Sequence, residues 1–345
     1  MTNDRSGKQT AIVILNWNGR HYLERFLPSV EMYSQLPHVS VVVADNGSTD
    51  DSLAYLRKAH PRVRIVALDA NYGFAEGYNQ ALQQVDAAYY VLLNSDVEVT
   101  EGWLPPLISM MEEKENIAAC MPKIKSEERR DYFEHAGAAG GFIDKYGYAF
   151  CRGRLFDTVE RDNGQYDEEA EIFWATGACC IVNAALFRQA GCFDGTFFAH
   201  MEEIDLCWRW KNAGYRIWYT PRSTVYHVGG GMLPQNSPFK TFLNYRNNLL
   251  MMYKNLPRRR RRRILMWRRC LDYVAGIHSL FGSISIMQPI LKAHRDFGKM
   301  KTACKHTPPA DTFPSCVYAK SIIYQYFIGK KKQFTHLNKD HFLQE

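Results

Sequence analysis

Short apolar runs alternate along this chain with stretches in which apolar residues return every three or four positions. Residues 11–15 (AIVIL), 39–44 (VSVVVA), 63–67 (VRIVA) and 88–93 (AYYVLL) have the length and β-rich composition of buried strands. After the first run, Leu23, Phe26, Leu27 and Val30 fall at i, i+3, i+4 and i+7, one face of a helix. Pro28 inside that face predicts a kink or an early stop. Leu53 and Leu56 mark a short second helix. Phe74, Tyr78, Ala81, Leu82 and Val85 mark a third, and Leu107, Met110 and Met111 a fourth that starts near Trp103. Residues 117–121 read as a further strand. The alternation predicts an α/β fold, a mostly parallel sheet with helices on both faces.

The apolar run at 88–93 stops abruptly at Asn94-Ser95-Asp96. In an open α/β sheet the carboxyl edge of the strands is where ligands bind. Asp96 is therefore a candidate for a metal or phosphate site; a polar turn that caps the next helix is the plainer reading. Two other predicted strands end the same way, at Asn16-Trp17-Asn18-Gly19 and at Asp45-Asn46-Gly47-Ser48-Thr49-Asp50. Parallel strands would gather all three loops on one edge, and that convergence favours the ligand-site reading.

Residues 125–164 are charged, glycine-rich and poorly periodic, which predicts loops and short strands that could cover the site. An apolar stretch at 172–182 surrounds Thr176-Gly177-Ala178, and a short helix is expected over 183–189. His200-Met201-Glu202-Glu203-Ile204-Asp205 reads as a helix start, ended at Ala213-Gly214. Acids in a first helical turn are favoured by the helix dipole alone, so Glu202 and Glu203 need no function to explain them. Two short strands are expected at 215–219 and 224–227, before a glycine loop at 229–231.

Charge divides the chain. Met1 to Tyr253 carries 24 Lys+Arg against 31 Asp+Glu, or −7; Lys254 to Glu345 carries 19 against 5, or +14. The net +7 thus hides a mildly acidic body and a basic module, with the division drawn as 1–245 and 246–345. The module opens on six arginines, Arg258 to Arg263, followed by Ile264-Leu265-Met266-Trp267. Arginines beside Trp, Leu and Ile suit the boundary between lipid headgroups and acyl chains. Residues 273–291 lack Lys, Arg, Asp and Glu and carry a helical stripe (Ile277, Leu280, Ile284, Leu291) that Pro289 should end. His278, Ser283, Ser285 and Gln288 interrupt the stripe. A helix lying on an anionic membrane surface is expected rather than one crossing it. No nucleic-acid motif accompanies the arginines, so no nucleic acid is expected as partner.

The nine cysteines form no C-x-x-C pair, Met1 to Gln9 is polar, and the first apolar run is too brief for an export signal. Reduced cytoplasmic thiols are expected, with Cys179, Cys180 and Cys207 as packing residues and no zinc site.

With these residues in place, the chain resembles the inverting GT-A-fold glycosyltransferases of family 2, and within them the rhamnosyltransferase-like bacterial branch that decorates polysaccharides. The resemblance covers residues 12–231. It is carried by Val13-Ile14-Leu15-Asn16-Trp17-Asn18-Gly19, Ala44-Asp45-Asn46-Gly47-Ser48-Thr49-Asp50, Asn71-Tyr72-Gly73-Phe74-Ala75-Glu76-Gly77-Tyr78-Asn79, Leu92-Leu93-Asn94-Ser95-Asp96, Thr176-Gly177-Ala178, Phe193-Asp194-Gly195-Thr196-Phe197-Phe198, Glu202 to Arg209, and His227-Val228-Gly229-Gly230. Each motif alone is weak; eight in the family's order are specific.

The resemblance implies a Rossmann-like sheet and a nucleotide-sugar donor, dTDP- or UDP-linked, held on its edge. Asp45 would bond the nucleobase, and Asn16, Gly19, Gly73 and Asn94 would line the nucleotide pocket. Asp96 matches the last acid of the family's D-x-D motif and would bind Mg2+ or Mn2+, with His227 as a further ligand. Oxygen-rich sites with few protein carboxylates suit those ions. Glu203 matches the general base, with Glu202 beside it. Trp174, Gly177, Asp205 and Arg209 would form the acceptor and sugar pocket. The acceptor would be a glycan or lipid-linked hydroxyl in cell-surface polysaccharide synthesis, and the enzyme would lie on the inner face of the cell membrane. Two positions depart from the family pattern. Asn94 stands first in the D-x-D, with less charge to offer a metal. Glu203 stands where Asp is usual, extending the carboxylate by roughly 1.5 Å, which leaves the base open between Glu202 and Glu203. The competing readings are a nucleotidyltransferase of similar fold and a non-catalytic membrane- or glycan-binding relative.

Overall fold

The structure is a computed structural model that describes residues 8–134, 137–229, 237–280, 286–302 and 311–344. Its centre is β1 (Thr10–Asn16), every residue of which is buried. Parallel neighbours flank it: β2 (Val39–Asn46) on one side, followed outward by β3 (Arg64–Leu68), and β4 (Tyr89–Asn94) on the other. Helices α1 (Arg20–Tyr33), α2 (Ser52–Ala59) and α3 (Gly73–Leu82) connect these strands. The predicted apolar faces are the buried ones: Leu23, Phe26, Leu27 and Val30 on α1, and Phe74, Tyr78, Ala81 and Leu82 on α3. Helix α1 runs through Pro28 instead of stopping there. An interior proline costs about 3 kcal/mol, whereas four buried apolar side chains return about 1.5–3 kcal/mol each, so packing decides.

Beyond β4 the sheet changes character. A three-residue strand, β5 (Val97–Val99), precedes α4 (Leu104–Glu113) and β6 (Ile117–Ser126). The excursion at 125–164 forms four short strands, β7 (Gly141–Asp144), β8 (Ala149–Cys151), β9 (Arg154–Leu155) and β10 (Thr158–Val159), which make a separate small sheet. Then come β11 (Ala170–Ile172), β12 (Cys179–Asn183), α5 (Ala184–Gln189), α6 (Glu202–Asn212) and β13 (Arg216–His227). Asn183 caps α5, its side chain accepting from the N–H groups of Ala185 and Leu186. The two strands expected at 215–219 and 224–227 are one strand, β13, with a register shift between Thr220 and Thr224. The main sheet has the order β11-β13-β6-β12-β4-β1-β2-β3, with β5 added on β13. Strand β12 runs antiparallel to β4 and β6, and β11 and β5 run antiparallel to β13, so the sheet is mixed rather than uniformly parallel.

The C-terminal region is helical at first: α7 (Pro238–Asn255), α8 (Arg258–Ser279) and α9 (Met287–Met300). Helix α7 crosses the 245/246 division without a break. Pro289 does not end a helix; it sits in the first turn of α9, where no intrahelical N–H bond is lost. The second half of the 229–231 glycine loop and residues 281–285 of the stripe lie outside the described residues. Strand β14 (Val317–Tyr318) returns to pair with β7, closing the small sheet. Cys179, Cys180 and Cys207 are buried in the core as expected, and burial pushes their thiols up.

Candidate active site

Strand register sets the site. Asn16 pairs with Asp45, and Leu15 with Asn94, so the polar ends of β1, β2 and β4 lie level on one edge. Strand β5 adds a connection that the apolar pattern does not reveal. Val97 pairs with His227 at the end of β13, and the Val228 N–H donates to the Asp96 carbonyl at 3.1 Å. Asp96 and His227, 131 residues apart, are thereby in contact: His227 Nε2 lies 3.1 Å from Asp96 Oδ1. On the other side of the ring, His227 Nδ1 faces Glu134 Oε2 at 3.3 Å. All three residues are buried. Burial opposes a charge on His227, but the hydrogen bonds and charges of Asp96 and Glu134 outweigh it and push the imidazole up to about 10.

This arrangement fits a divalent cation. Two ligands at about 2.1 Å, at right angles in an octahedral shell, stand about 3.0 Å apart, close to the observed Nε2–Oδ1 spacing. A carboxylate on the far imidazole nitrogen is the usual support for a metal-binding histidine. Asp96 would supply an oxygen and His227 a nitrogen, with Asn94 on the same cavity wall; the remaining positions would fall to phosphate oxygens and water. Among the described residues no group of three His, Cys, Asp or Glu side chains converges on one position.

A cavity of about 210 Å³ opens on this edge. Asn94, Ser95, Asp96 and His227 line it together with Trp17, Asn18, Gly19, His21 and Tyr22, and with Thr176, Gly177, Ala178, His200, Glu202 and Glu203. The two glutamates stand in the first turn of α6, each with one buried carboxylate oxygen that has no hydrogen-bond partner among the described residues. Burial raises both carboxyls above the ordinary range. The charge of Glu203 adds to the effect on Glu202, while backbone N–H groups at the start of α6 partly offset it on Glu203. A buried acid whose proton is held near neutrality suits a general base.

The segment before these acids is strained. Phe198, His200 and Met201 have φ of 65°, 71° and 74°, a region that non-glycine residues rarely adopt. Two elements hold it there. The N–H groups of Phe74 and Ala75, at the start of α3, donate to the Phe198 carbonyl at 2.7 and 3.2 Å. From α7, the buried Asn247 Nδ2 donates to the carbonyls of Phe197, Ala199 and His200 at 2.9, 2.9 and 2.8 Å. Gly73 is needed at this junction: its φ is 75°, and a Cβ would stand 2.6 Å from the Phe198 ring. The sequence reading missed His200, Asn247, Lys240 and Glu134. The one available signal was that His200 stands two positions before the acidic pair.

Other expected site residues lie outside the cavity wall. Asp45 is fully buried; its oxygens accept from Asn16 Nδ2 at 3.1 Å and the Ser48 N–H at 2.9 Å, so it braces the loop from behind. Asn16 is buried beside it, and Gly19, itself on the cavity wall, leaves room for the Asn16 amide oxygen, which a Cβ would approach to 2.4 Å. Asp205 bonds Arg209, Lys254 and Asn255 at 2.9, 2.9 and 2.8 Å, and Arg209 also donates to the Ala190 and Cys192 carbonyls. The polar atoms of the pair are therefore engaged in anchoring α6. Trp174 is buried against Gly141, its indole N–H donating to the Phe142 carbonyl at 2.9 Å, so it presents no face to a sugar. Of that group only Gly177 lines the cavity.

Comparison with known proteins places the fold first. The solved structure of GalNAc-T7 with UDP, GalNAc and Mn2+ matches with TM-score 0.56 at 15% identity, over 87% of this chain and 57% of that one. Staphylococcus aureus TarS 1–349 matches with TM-score 0.54 at 16% identity, over 84% and 80%. The fold is that of the GT-A glycosyltransferases. The family model described as glycosyl transferase family 2 matches residues 11–191, more than half the chain. The protein belongs to glycosyltransferase family 2. Among its relatives are the N-acetylglucosaminyl-diphospho-decaprenol L-rhamnosyltransferase of Mycobacterium tuberculosis, 28% identical over 63% of this chain and 75% of its own length, and the rhamnosyltransferase WbbL of Escherichia coli K12, 22% identical over 63% and 82%.

Proposed function

We propose that this glycosyltransferase moves a hexose, rhamnose first among the candidates, from a dTDP- or UDP-linked donor to a hydroxyl of a glycan or lipid-linked acceptor in cell-surface polysaccharide synthesis. The observation that carries the proposal is the meeting of Asp96, His227 and Glu203 on one cavity at the carboxyl edge of the sheet. The relatives named as rhamnosyltransferases support the sugar, and the decaprenyl-linked acceptor in one of those names supports the acceptor class.

The donor's nucleotide end lies against the ends of β1 and β2, where Gly19 lines the wall and the buried Asn16 and Asp45 support it from behind, with Gly73 fixing the Phe198 turn. Asp96 and His227 hold a divalent cation, Mg2+ or Mn2+, with Asn94 beside them. When bound, that cation stabilises the negative charge gathering on the departing diphosphate. Glu203 takes the proton from the acceptor hydroxyl as its oxygen bonds to the anomeric carbon from the face opposite the diphosphate. The carbon–oxygen bond to the diphosphate breaks, the nucleoside diphosphate leaves, and the configuration inverts. Glu202, deeper and more strongly disfavoured as an anion, keeps its proton and shapes the pocket. Among the described residues no helix is long and apolar enough to cross a membrane. The reading places the enzyme on the inner face of the cell membrane, held by the arginines of α8.

A panel of nucleotide sugars scored by thermal shift, with and without Mn2+, tests the donor. Ligands of the folded state raise the melting temperature according to concentration over Kd. Product analysis tests the reaction: release of nucleoside diphosphate supports it, and release of pyrophosphate would show a nucleotidyltransferase instead.

A further inference from the structure

Helix α7 links two cavities. Lys240 near its start lines the active-site cavity, and Tyr253 near its end lines a second one. The offset from 240 to 253 is about 20 Å of helix at about 1.5 Å per residue. The second cavity, of about 570 Å³, is a groove between the end of α7, α8 from Arg261 to Tyr273, and the end of α9. Arg261, Arg262, Arg269 and Lys301 line it, with Leu265 and Phe297 as apolar surface, and no carboxylate is among its lining residues. The only acids on α8 and α9 are Asp272 and Asp296. Asp272 is buried and held by Arg268 at 2.8 Å and His294 at 3.1 Å. Asp296 lies beside Arg295 and lines no part of the groove. Arg261 donates to the Tyr253 carbonyl at 3.1 Å and stacks on that ring, so it is part of the groove's frame. Arg262 and Arg269 are exposed at its mouth.

The outward face of α8 continues from this groove. Its first turns expose Arg258, Arg259, Arg260 and Arg263. Past them Met266, Trp267, Val274, Ile277 and Leu280 are 50–62% exposed. Such a row of large apolar side chains beside arginines calls for a partner with both an anionic layer and an apolar phase. A bilayer has both. Nucleic acid offers the charge but nothing to cover Val274, Ile277 and Leu280.

We propose that the α7–α8–α9 groove seats the phosphate of one anionic phospholipid headgroup, between Arg262, Arg269 and Lys301, while the exposed apolar row of α8 enters the acyl layer. The inference rests on the reading that this face meets a membrane and adds a discrete headgroup site to it. Because the α7 residues that line the two cavities, Lys240 and Tyr253, are about 20 Å of helix apart, the lipid of that site is a membrane lipid and not the acceptor. The charge-assisted bonds of a fitted phosphate add to the general attraction of a basic surface.

The test uses the full chain and vesicles of phosphatidylcholine, with or without phosphatidylglycerol. Two exposed pairs on α8 are compared: Arg262→Gln with Arg269→Gln in the groove, and Arg258→Gln with Arg260→Gln outside it. Both remove two charges from solvent-facing positions. The site predicts that the groove pair loses roughly tenfold more affinity for phosphatidylglycerol vesicles than the outside pair. Equal losses would overturn the site and leave general charge attraction. No preference of the wild type for phosphatidylglycerol would overturn both the site and the membrane reading. A second arm compares dihexanoyl phosphatidylglycerol, below its micelle concentration, with inorganic phosphate by thermal shift. The lipid is expected to give the larger shift, lost in the groove pair; an equal shift with phosphate alone would make this a free-anion site and contradict the proposal.

Discussion

His200 faces the cavity in a left-handed backbone conformation, and burial together with the charge of Lys240 lowers its imidazole from 6.5 to about 4. The unfolded chain takes up that proton near pH 6.5, while the folded chain resists it until about pH 4. Between those values the unfolded state binds more protons, so stability falls as pH drops through this window and His200 adds no slope above it. Thermal melts across pH 4–7 should therefore be steeper for wild type than for His200→Gln; parallel curves would contradict the assignment. Glu134 acts on the site through His227. It holds the Nδ1 side of the ring and leaves Nε2 toward Asp96. Glu134→Gln is expected to weaken Mn2+ binding by about 10–100-fold, read by titration calorimetry on the resting protein, with the fold retained. Unchanged affinity would remove Glu134 from the metal site.

Asn247 joins α7 to the segment that carries the acids, through three carbonyls that have no other common anchor among the described residues. Replacing it with Ala removes the side-chain donor from the Ala199 and His200 carbonyls, while the Phe197 carbonyl keeps Arg246 and the Ala199 N–H; leaving a buried carbonyl unpaired costs about 1–3 kcal/mol. The expected result is faster amide exchange at 197–203 and a fall in kcat larger than any change in donor binding. A variant with wild-type kcat and exchange would show that the strained segment holds itself. The contrast between what was legible and what was not lies in the kind of interaction. Strands β1, β2 and β4 and their polar ends could be read because buried parallel strands are continuous apolar runs that stop where the chain turns. Helix α1 kept its face for the same reason, although Pro28 argued locally against it. Strand β5 has only three residues, and its pairing with β13 is what joins Asp96 to His227, so the contact left no local pattern. Glu134 sits in a poorly periodic stretch and Asn247 in an ordinary helix; both act through side-chain bonds to distant groups. Trp174, Asp205 and Arg209 were expected in the pocket, and what the motif did not reveal is that their polar atoms are engaged in packing.

The body and the basic region fold as partners. Helix α7 brings Lys240 to the cavity, Asn247 to the strained segment, and Lys254 and Asn255 to the buried Asp205. A chain ending at residue 245 would lose those partners and leave Asp205 with Arg209. Breaking a buried ion network costs about 3–5 kcal/mol, so that truncation should melt far below the full chain or fail to fold, as circular dichroism would show; an unchanged melting temperature would contradict the coupling. The basic charge of the C-terminal region is thus fixed to the catalytic body through α7, and the exposed arginine and apolar face of α8 is set relative to the cavity. The proposed chemistry turns on Glu203 removing the proton of the acceptor hydroxyl. The most direct measurement is acceptor-dependent release of nucleoside diphosphate by wild type and Glu203→Gln, with Mn2+ present, across pH 5–9. The expected result is a loss of about 10²–10⁴-fold in the variant, donor-induced thermal stabilisation kept, and a wild-type rate that rises with pH through an acid limb above the ordinary carboxylate range. A Glu203→Gln rate close to wild type, with the same pH limb, would contradict it.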